Sequence, residues 1–555
     1  MGVPGFFAWL LKNYKNHNII TTMVQERINA LYIDANCLFH PQCHKVLDFY
    51  NNKISVNELE NKMINRILAY IDFIVEYVNP SESVYIAVDG VAPSAKMNQQ
   101  RKRRFRAIAD NELRNNIKKK YDKETTTIWN NTVITPGTDF MEKLHKAIIE
   151  HINKKKSTII FTYSSYHTIG EGEHKILQDI KLKNKKCTYA IYGLDADLIF
   201  LALASNKNKI YLLREDIVFQ INQIKKEYDD VSEQLNYVSI DETRLCINDH
   251  MKSLINIVTN NDFTKDFIMI CYFLGNDFIP NLPSIEIKND GIDFLLDQYA
   301  ITYSELRNGM IKNDNSINME FFILYIKKLA KYEEYYFKVK FPNFLDRISK
   351  RNCLSSDPYD MEIWNMENMK MFDVYDPIML GFDDPSLWKF RFYEYYYGVS
   401  QYQSDHIENM CKNYTEGISW TLQYYFQKCV SYEWFYEYYH APFVSDLVNH
   451  IKNINNIQFK KDTIIITPYV QLLAVLPSTC HTLLPKKYGS LMCNNTSPII
   501  DLYPKHIALD MLYKDSYHKC IPLVPNIDIN RIINATNKIK LAPHEQENNY
   551  LIENP

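Results

Sequence analysis

The chain has 555 residues, 46% of them hydrophobic and 23% charged, a globular rather than a disordered composition with room for roughly two to four domains. A formal net charge of −3 excludes a uniformly basic coat for nucleic acid, so any phosphate contact must come from local clusters. The 11 scattered cysteines form no Cys-x-x-Cys pair, and no run approaches the roughly 18 apolar residues of a membrane span, so a disulfide framework, a zinc knuckle and a membrane segment are not expected. The N-terminus lacks a signal-peptide pattern, and the expected setting is intracellular, the cytoplasm ahead of the nucleus.

In chain order, Gly2-Val-Pro-Gly-Phe-Phe-Ala-Trp-Leu-Leu11 reads as a turn and a short apolar helix. Ala30-Leu-Tyr-Ile-Asp34 is a buried strand ending in an acid, with Asn36 and His40 just beyond. The end of a buried strand is where open parallel sheets place ligands, although Asp34 taken singly reads as a helix N-cap ahead of a metal ligand. After an amphipathic helix over about Val56 to Val78, Val84-Tyr-Ile-Ala-Val-Asp89-Gly90 repeats the pattern, and the two strands with their helix predict a βαβ unit. Lys96 to Arg106 carries six basic residues and no acid; on a helix, Lys96, Gln100, Arg103 and Arg104 share one face. Such a run is usually a solvated surface, but this one begins close to Asp89, and positive charge beside carboxylates suits a phosphate-handling site.

A Lys-rich helix over 112–123, a turn at Thr135-Pro-Gly-Thr138 entering another helix, and a strand over Ser157 to Thr162 lead to the densest stretch. There Gly170-Glu-Gly-Glu-His-Lys175 opens a helix, and Gly193-Leu-Asp-Ala-Asp197 joins the strand Thr188 to Tyr192 to the buried helix Leu198 to Leu203. Four carboxylates this close repel one another unless cations neutralise them, and hard divalent ions with oxygen ligands fit. An apolar helix over Phe267 to Leu274 ends in Gly-Asn-Asp277. Asp34, Asp89, Glu171, Glu173, Asp195, Asp197 and Asp277 thus all sit on turns bordering buried segments, a pattern that marks sites more often than scaffolds. Residues 300–365 are helical by periodicity; aromatic stripes follow at Trp388 to Tyr397, Trp420 to Phe426 and Val430 to Phe443, most of them expected to be core. The polar stretch after about Thr536 is expected to fray.

Met1-Gly-Val-Pro, Ile33-Asp34, Asp89-Gly-Val-Ala-Pro, Lys96-Met-Asn-Gln-Gln-Arg, Thr135-Pro-Gly-Thr, Gly170-Glu-Gly-Glu-His-Lys, Gly193-Leu-Asp-Ala-Asp-Leu, Leu274-Gly-Asn-Asp-Phe and Ala441-Pro-Phe resemble, in order, the motif blocks of the XRN family of 5′→3′ exoribonucleases. The resemblance runs from Met1 to about residue 530 and implies an α/β, PIN/flap-nuclease-like core. Its central sheet would be mostly parallel and flanked by helices, with a mainly helical, aromatic-rich second block packed on it. The implied domains are a catalytic core over 1–300, a helical connector over 301–365, a second block completing the pocket over 366–535 and a polar tail over 536–555. The implied member is compact, without the long C-terminal extension of the cytoplasmic proteins, and its composition suggests a viral or divergent unicellular source.

By the same resemblance, the seven carboxylates would hold two Mg²⁺ ions, with Mn²⁺ as a substitute, and act as the catalytic set. Lys96, Gln100, Arg103 and Arg104 would bind a 5′-monophosphate. His40 and Trp434 would stack on the terminal base, with Trp420 as a rival for the second place. The implied partner is single-stranded RNA with a 5′-monophosphate, degraded processively to 5′-mononucleotides. Two other readings compete. A structure-specific flap nuclease would follow its last metal acid with a Gly-Ile-Gly-type turn, whereas Asp277 is followed by Phe-Ile-Pro-Asn-Leu-Pro-Ser-Ile-Glu286. An inactive RNA-binding scaffold would have lost carboxylates, and all seven are present.

Overall fold

A computed structural model describes residues 3, 5–14, 17–50, 53–124, 129–183, 186–215, 231–399, 404–451, 454–462 and 464–552. Met1, Gly2 and Pro4 of the first motif block lie outside the described residues. Seven strands, β1 (Ile20–Thr21), β2 (Ala30–Asp34), β3 (Ser83–Ala87), β4 (Ile160–Ser164), β5 (Tyr189–Tyr192), β6 (Ile210–Glu215) and β7 (Leu235–Ser239), form one sheet in the order β1-β7-β6-β5-β2-β3-β4. The five strands from β6 to β4 run parallel, and β7 and β1 add an antiparallel edge. Every residue of β2 and β5 is buried, as expected of parallel strands covered on both faces.

The faces are covered by different helices because successive side chains alternate. Leu31 and Ile33 of β2 pack under α2 (Ala35–Tyr50), α3 (Val56–Val78) and α5 (Asp139–Lys154). Ala30 and Tyr32 of the same strand pack with α6 (Gly172–Leu182) and α7 (Asp197–Ala204). That second core continues into helices Thr264–Tyr272, Gly291–Leu306, Met319–Tyr335 and Ser404–Phe426, so the sheet domain and the second block share one apolar interior. Phe278 meets Trp420 at 4.9 Å within it.

The basic run and the Lys-rich segment after it form one helix, α4 (Ser94–Lys120), which is clasped by the C-terminal region. Met97 and Phe105 pack with Tyr469, Leu472 and Leu473 of helix Pro468–Val475. Arg101 is buried between elements: its Nε and Nη1 donate to the carbonyls of Pro525 and Ala474 at 3.1 and 2.9 Å, and its Nη2 to that of Leu502.

Over its described residues, to Ile552, the polar C-terminal stretch is docked rather than frayed. Helix Pro543–Asn549 docks through side-chain hydrogen bonds: Asn548 donates to Asp139 at 2.8 Å, and Asn549 accepts from the Tyr469 amide at 2.8 Å. These tethers are polar side chains, which hydropathy does not register, and Ile539, Leu541 and Leu551 add apolar contacts. No described helix is long and apolar enough to cross a membrane, and all 11 cysteines are unpaired.

Candidate active site

β3, β2 and β5 are neighbours in the sheet, and their C-terminal ends deliver Asp89, Asp34 and the turn bearing Asp195 to one edge, where the strand order reverses about β2. Asp34 closes β2 and is buried; its Oδ2 accepts from Cys37 Sγ at 3.0 Å, while its Oδ1 has no partner. Asp89 lies two residues past β3, where its amide donates to Asn36 Oδ1 at 3.0 Å. Asp195 is exposed on the turn after β5, and Asp197 is buried as the first residue of α7.

The Glu171 and Glu173 pair sits where α6 begins, so the helix dipole favours both carboxylates. Gly172 between them is a close-approach position: its amide donates to Asp89 Oδ1 at 2.7 Å, and a Cβ there would lie 2.9 Å from Asp34 Oδ1. Gly90 is equally constrained, since a Cβ would come within 1.8 Å of the Thr168 carbonyl. Gly170 has φ +100°, a left-handed conformation that side chains avoid. These glycines let three carboxylate-bearing segments converge.

Lys96 Nζ bridges Glu171 Oε2 at 2.6 Å and Asp277 Oδ2 at 2.9 Å. The structure therefore sets this lysine's ammonium among the carboxylates. Burial opposes ionisation of Asp277, yet Lys96 together with other nearby positive charge holds the carboxyl down to about 2. Asp197 moves the other way: burial, then Asp277 facing it, pushes its carboxyl up to about 7. Burial followed by neighbouring carboxylates also raises Asp34 and Asp89. Glu173 is raised as well, by burial and by Glu171 and Asp197, with Lys96 opposing.

A cavity of about 810 Å³ is lined by Asp34, Asp89, Glu171, Glu173 and Asp195 together with Lys96, Gln100, Arg103, Arg104 and His40. Asp197 and Asp277 stand behind that lining, Asp277 being joined to it through Lys96. Arg103 is exposed, whereas Arg104 is anchored by its Nη2 on Thr135 Oγ1 at 2.8 Å and keeps a buried Nη1 without a partner. Burial, then Arg103 beside it, lowers the Arg104 guanidinium to about 9. His40 is driven down to about 4, first by burial and then by Arg103, and is a neutral imidazole at neutral pH.

The aromatic candidates lie elsewhere. Trp434 stacks on Trp420 at 5.5 Å and 26°, donates from Nε1 to Glu416 at 3.4 Å, and is not among the residues lining the cavity. Trp420 is fully buried with Nε1 donating to the Ser431 carbonyl at 2.9 Å, which makes it a core residue.

Three residues at the site were not singled out by the sequence. Tyr424, inside a stripe read as core, donates its hydroxyl to Glu171 Oε1 at 2.7 Å across 253 positions. Lys175 donates to the carbonyls of Val88 at 2.7 Å and Ser165 at 2.9 Å, tying the Asp89 turn to the loop before α6; burial lowers its ammonium to about 7. Arg214 of β6 donates to the Leu194 carbonyl, bracing the turn that bears Asp195. Only Lys175 carried a sequence signal, as the last residue of the Gly-Glu-Gly-Glu-His-Lys block.

The XRN 5′-3′ exonuclease N-terminus profile matches residues 1–216, and the Xrn1 helical domain profile matches 259–374 and 347–554, the latter covering over half the chain. The chain belongs to the XRN family. XRN relatives include 5′-3′ exoribonuclease 1 of Homo sapiens, 30% identical over 588 residues, covering 96% of this chain and 34% of that protein. The Schizosaccharomyces pombe protein of the same name is 28% identical over 661 residues, covering 98% of this chain and 49% of its own length. The 5′-3′ exoribonuclease 2 homolog of Drosophila melanogaster is 27% identical over 657 residues, covering 96% and 70%. The chain thus spans about a third to a half of the length of the exoribonuclease 1 relatives. These matches lend no support to a viral source.

Proposed function

We propose that this XRN-family chain is a 5′→3′ exoribonuclease that processively hydrolyses RNA bearing a 5′-monophosphate, releasing 5′-mononucleotides. The observation carrying the reading is the shared cavity, in which carboxylates and the Gln100, Arg103 and Arg104 group face one enclosed space. The names of the relatives support RNA as the substrate.

The donor set fits hard divalent cations. Asp34 Oδ1, Glu173 Oε2 and Asp197 Oδ1 are buried without hydrogen-bond partners, and burial together with like charge disfavours their ionised forms. Asp34, Asp89, Glu171, Glu173, Asp195, Asp197 and Asp277 would hold two Mg²⁺ ions, or Mn²⁺ in their place. Bound there, such ions supply a more acidic water nucleophile and positive charge beside the displaced oxygen. Arg103 and Arg104 offer charge-assisted contacts to a terminal phosphate, Gln100 adds an amide, and Thr135 holds the Arg104 fork in place. His40, neutral and half-buried, lines the same cavity and would stack on a terminal base. The Lys96 ammonium balances Glu171 and Asp277 and fixes both side chains.

One RNA carrying a 5′-monophosphate, 5′-hydroxyl or 5′-triphosphate, incubated with Mg²⁺ beside a DNA flap of the same sequence, tests the reading. Mononucleotides should appear from the monophosphate RNA alone. Flap cleavage, or indifference to the 5′ group, would overturn it.

A further inference from the structure

Among the described residues, one group of side chains outside the cavity has the make-up of a metal site. Glu142 and His145 lie one turn apart on α5, and His167 lies in the loop between β4 and α6. One ligand atom from each falls within 4.8 Å of the other two, and none of the three lines the cavity described above. His167 is fully buried. Its Nδ1 is 3.0 Å from the Tyr550 carbonyl, which can only accept, so in the neutral ring Nδ1 carries the proton and Nε2 the lone pair. That Nε2 is buried, makes no hydrogen bond, and lies 3.4 Å from Glu142 Oε2.

The surroundings are those of a metal-ligating set. Ligating histidines characteristically donate their other ring nitrogen to a carbonyl or hydroxyl; here Tyr550 serves His167, and the Tyr163 hydroxyl lies 3.2 Å from His145 Nδ1. Glu142 is oriented by the Tyr166 hydroxyl on Oε2 at 2.6 Å and by Lys146 on Oε1 at 3.1 Å. The set is one carboxylate and two imidazoles, with the His167 Nε2 lone pair free. Zinc bonds of about 2.0–2.1 Å put tetrahedral ligand atoms roughly 3.4 Å apart, the Glu142–His167 spacing, and the His145 ligand atom lies within 4.8 Å of both.

We propose that Glu142, His145 and His167 form a Zn²⁺ site, separate from the carboxylate cluster, that locks the loop leading to Glu171 to the segment Tyr550 to Ile552 that follows helix Pro543–Asn549. His167 joins the two: its ring stacks on Tyr550 at 4.0 Å and 19°, and its carbonyl accepts from the Ile552 amide at 2.9 Å. It also precedes Glu171 by four residues. The inference is independent of the nuclease reading.

The test is calorimetric titration of the chelator-treated whole chain with Zn²⁺, in excess Mg²⁺ so that the carboxylate cluster contributes equally to every protein. His145→Gln and Glu142→Gln are compared with the wild type, each checked for native circular dichroism. The wild type should bind one equivalent of Zn²⁺ that either variant binds at least about ten-fold more weakly. Co²⁺ should give the visible absorption of a tetrahedral site in the wild type only. Zn²⁺ should raise the melting temperature of the wild type and leave His145→Gln unchanged. Equal stoichiometry and affinity in all three proteins, with no cobalt spectrum, would overturn the proposal.

Discussion

Gly172 does its work by having no side chain. A Cβ at this position would meet Asp34 Oδ1 at 2.9 Å, the Ala87 carbonyl at 3.2 Å and Asp89 Oδ1 at 3.3 Å, so Gly172→Ala must push carboxylates apart. Turnover should fall on the order of 10²-fold while the melting temperature moves by only a few degrees, the signature of misplaced catalytic groups. Wild-type rates in the purified variant would remove the close approach from the catalytic account. Asp197 gives a pH prediction. Its folded pKa of about 7 lies above the ordinary value of about 3.9, so between those two the native state binds more protons and stability falls as pH rises. Asp277, held down to about 2, acts oppositely, stabilising above about pH 4 and losing that contribution in acid. In chelator, melting temperature should decline from about pH 4 to 7, and Asp197→Asn should make the decline shallower; identical slopes would argue against this coupling.

At the scale of the element, α4 turns two arginines, Arg101 and Arg103, to different uses. Arg101 is buried against three carbonyls from the C-terminal region, whereas Arg103 is exposed in the cavity. Arg101→Ala leaves those carbonyls unsatisfied and should cost on the order of 3–5 kcal/mol in urea unfolding. Arg103→Ala should change stability by less than about 0.5 kcal/mol. Its effect belongs in kinetics, a loss of roughly ten- to a hundred-fold in kcat/KM on 5′-monophosphate RNA and little on 5′-hydroxyl RNA. A swap of these two readouts would mean that the helix is rotated relative to the structure described. The face bearing Lys96, Gln100, Arg103 and Arg104 was legible from helical spacing alone. The inward role of Arg101 was not, because its partners lie 373 to 424 positions away.

Across the whole molecule, the second block reaches into the carboxylate cluster rather than merely packing beside it. Tyr424 orients Glu171, His174 lies 3.7 Å from the Tyr424 ring, and Gln471 accepts from the Ala92 amide at 2.8 Å beside the cavity. Tyr424→Phe removes one hydroxyl and little volume, so kcat should fall about five-fold, near 1 kcal/mol, with KM unchanged. An unchanged kcat would reduce the second block to a structural support for Glu171.

The sequence by itself determined the parallel core and the acidic positions, because both are written locally. Buried strands show as unbroken apolar runs, and acids and glycines at their ends mark turns that side chains must leave open. The antiparallel edge formed by β7 and β1 lacked such a signal, as did the tail docked through Asn548 and Asn549. Only the tertiary structure decided which aromatics are core, where the Lys96 ammonium goes, and that His145 and His167 meet Glu142. Each of those depends on partners brought together by the packing of separate segments, and periodicity along one segment carries no record of what lies opposite it.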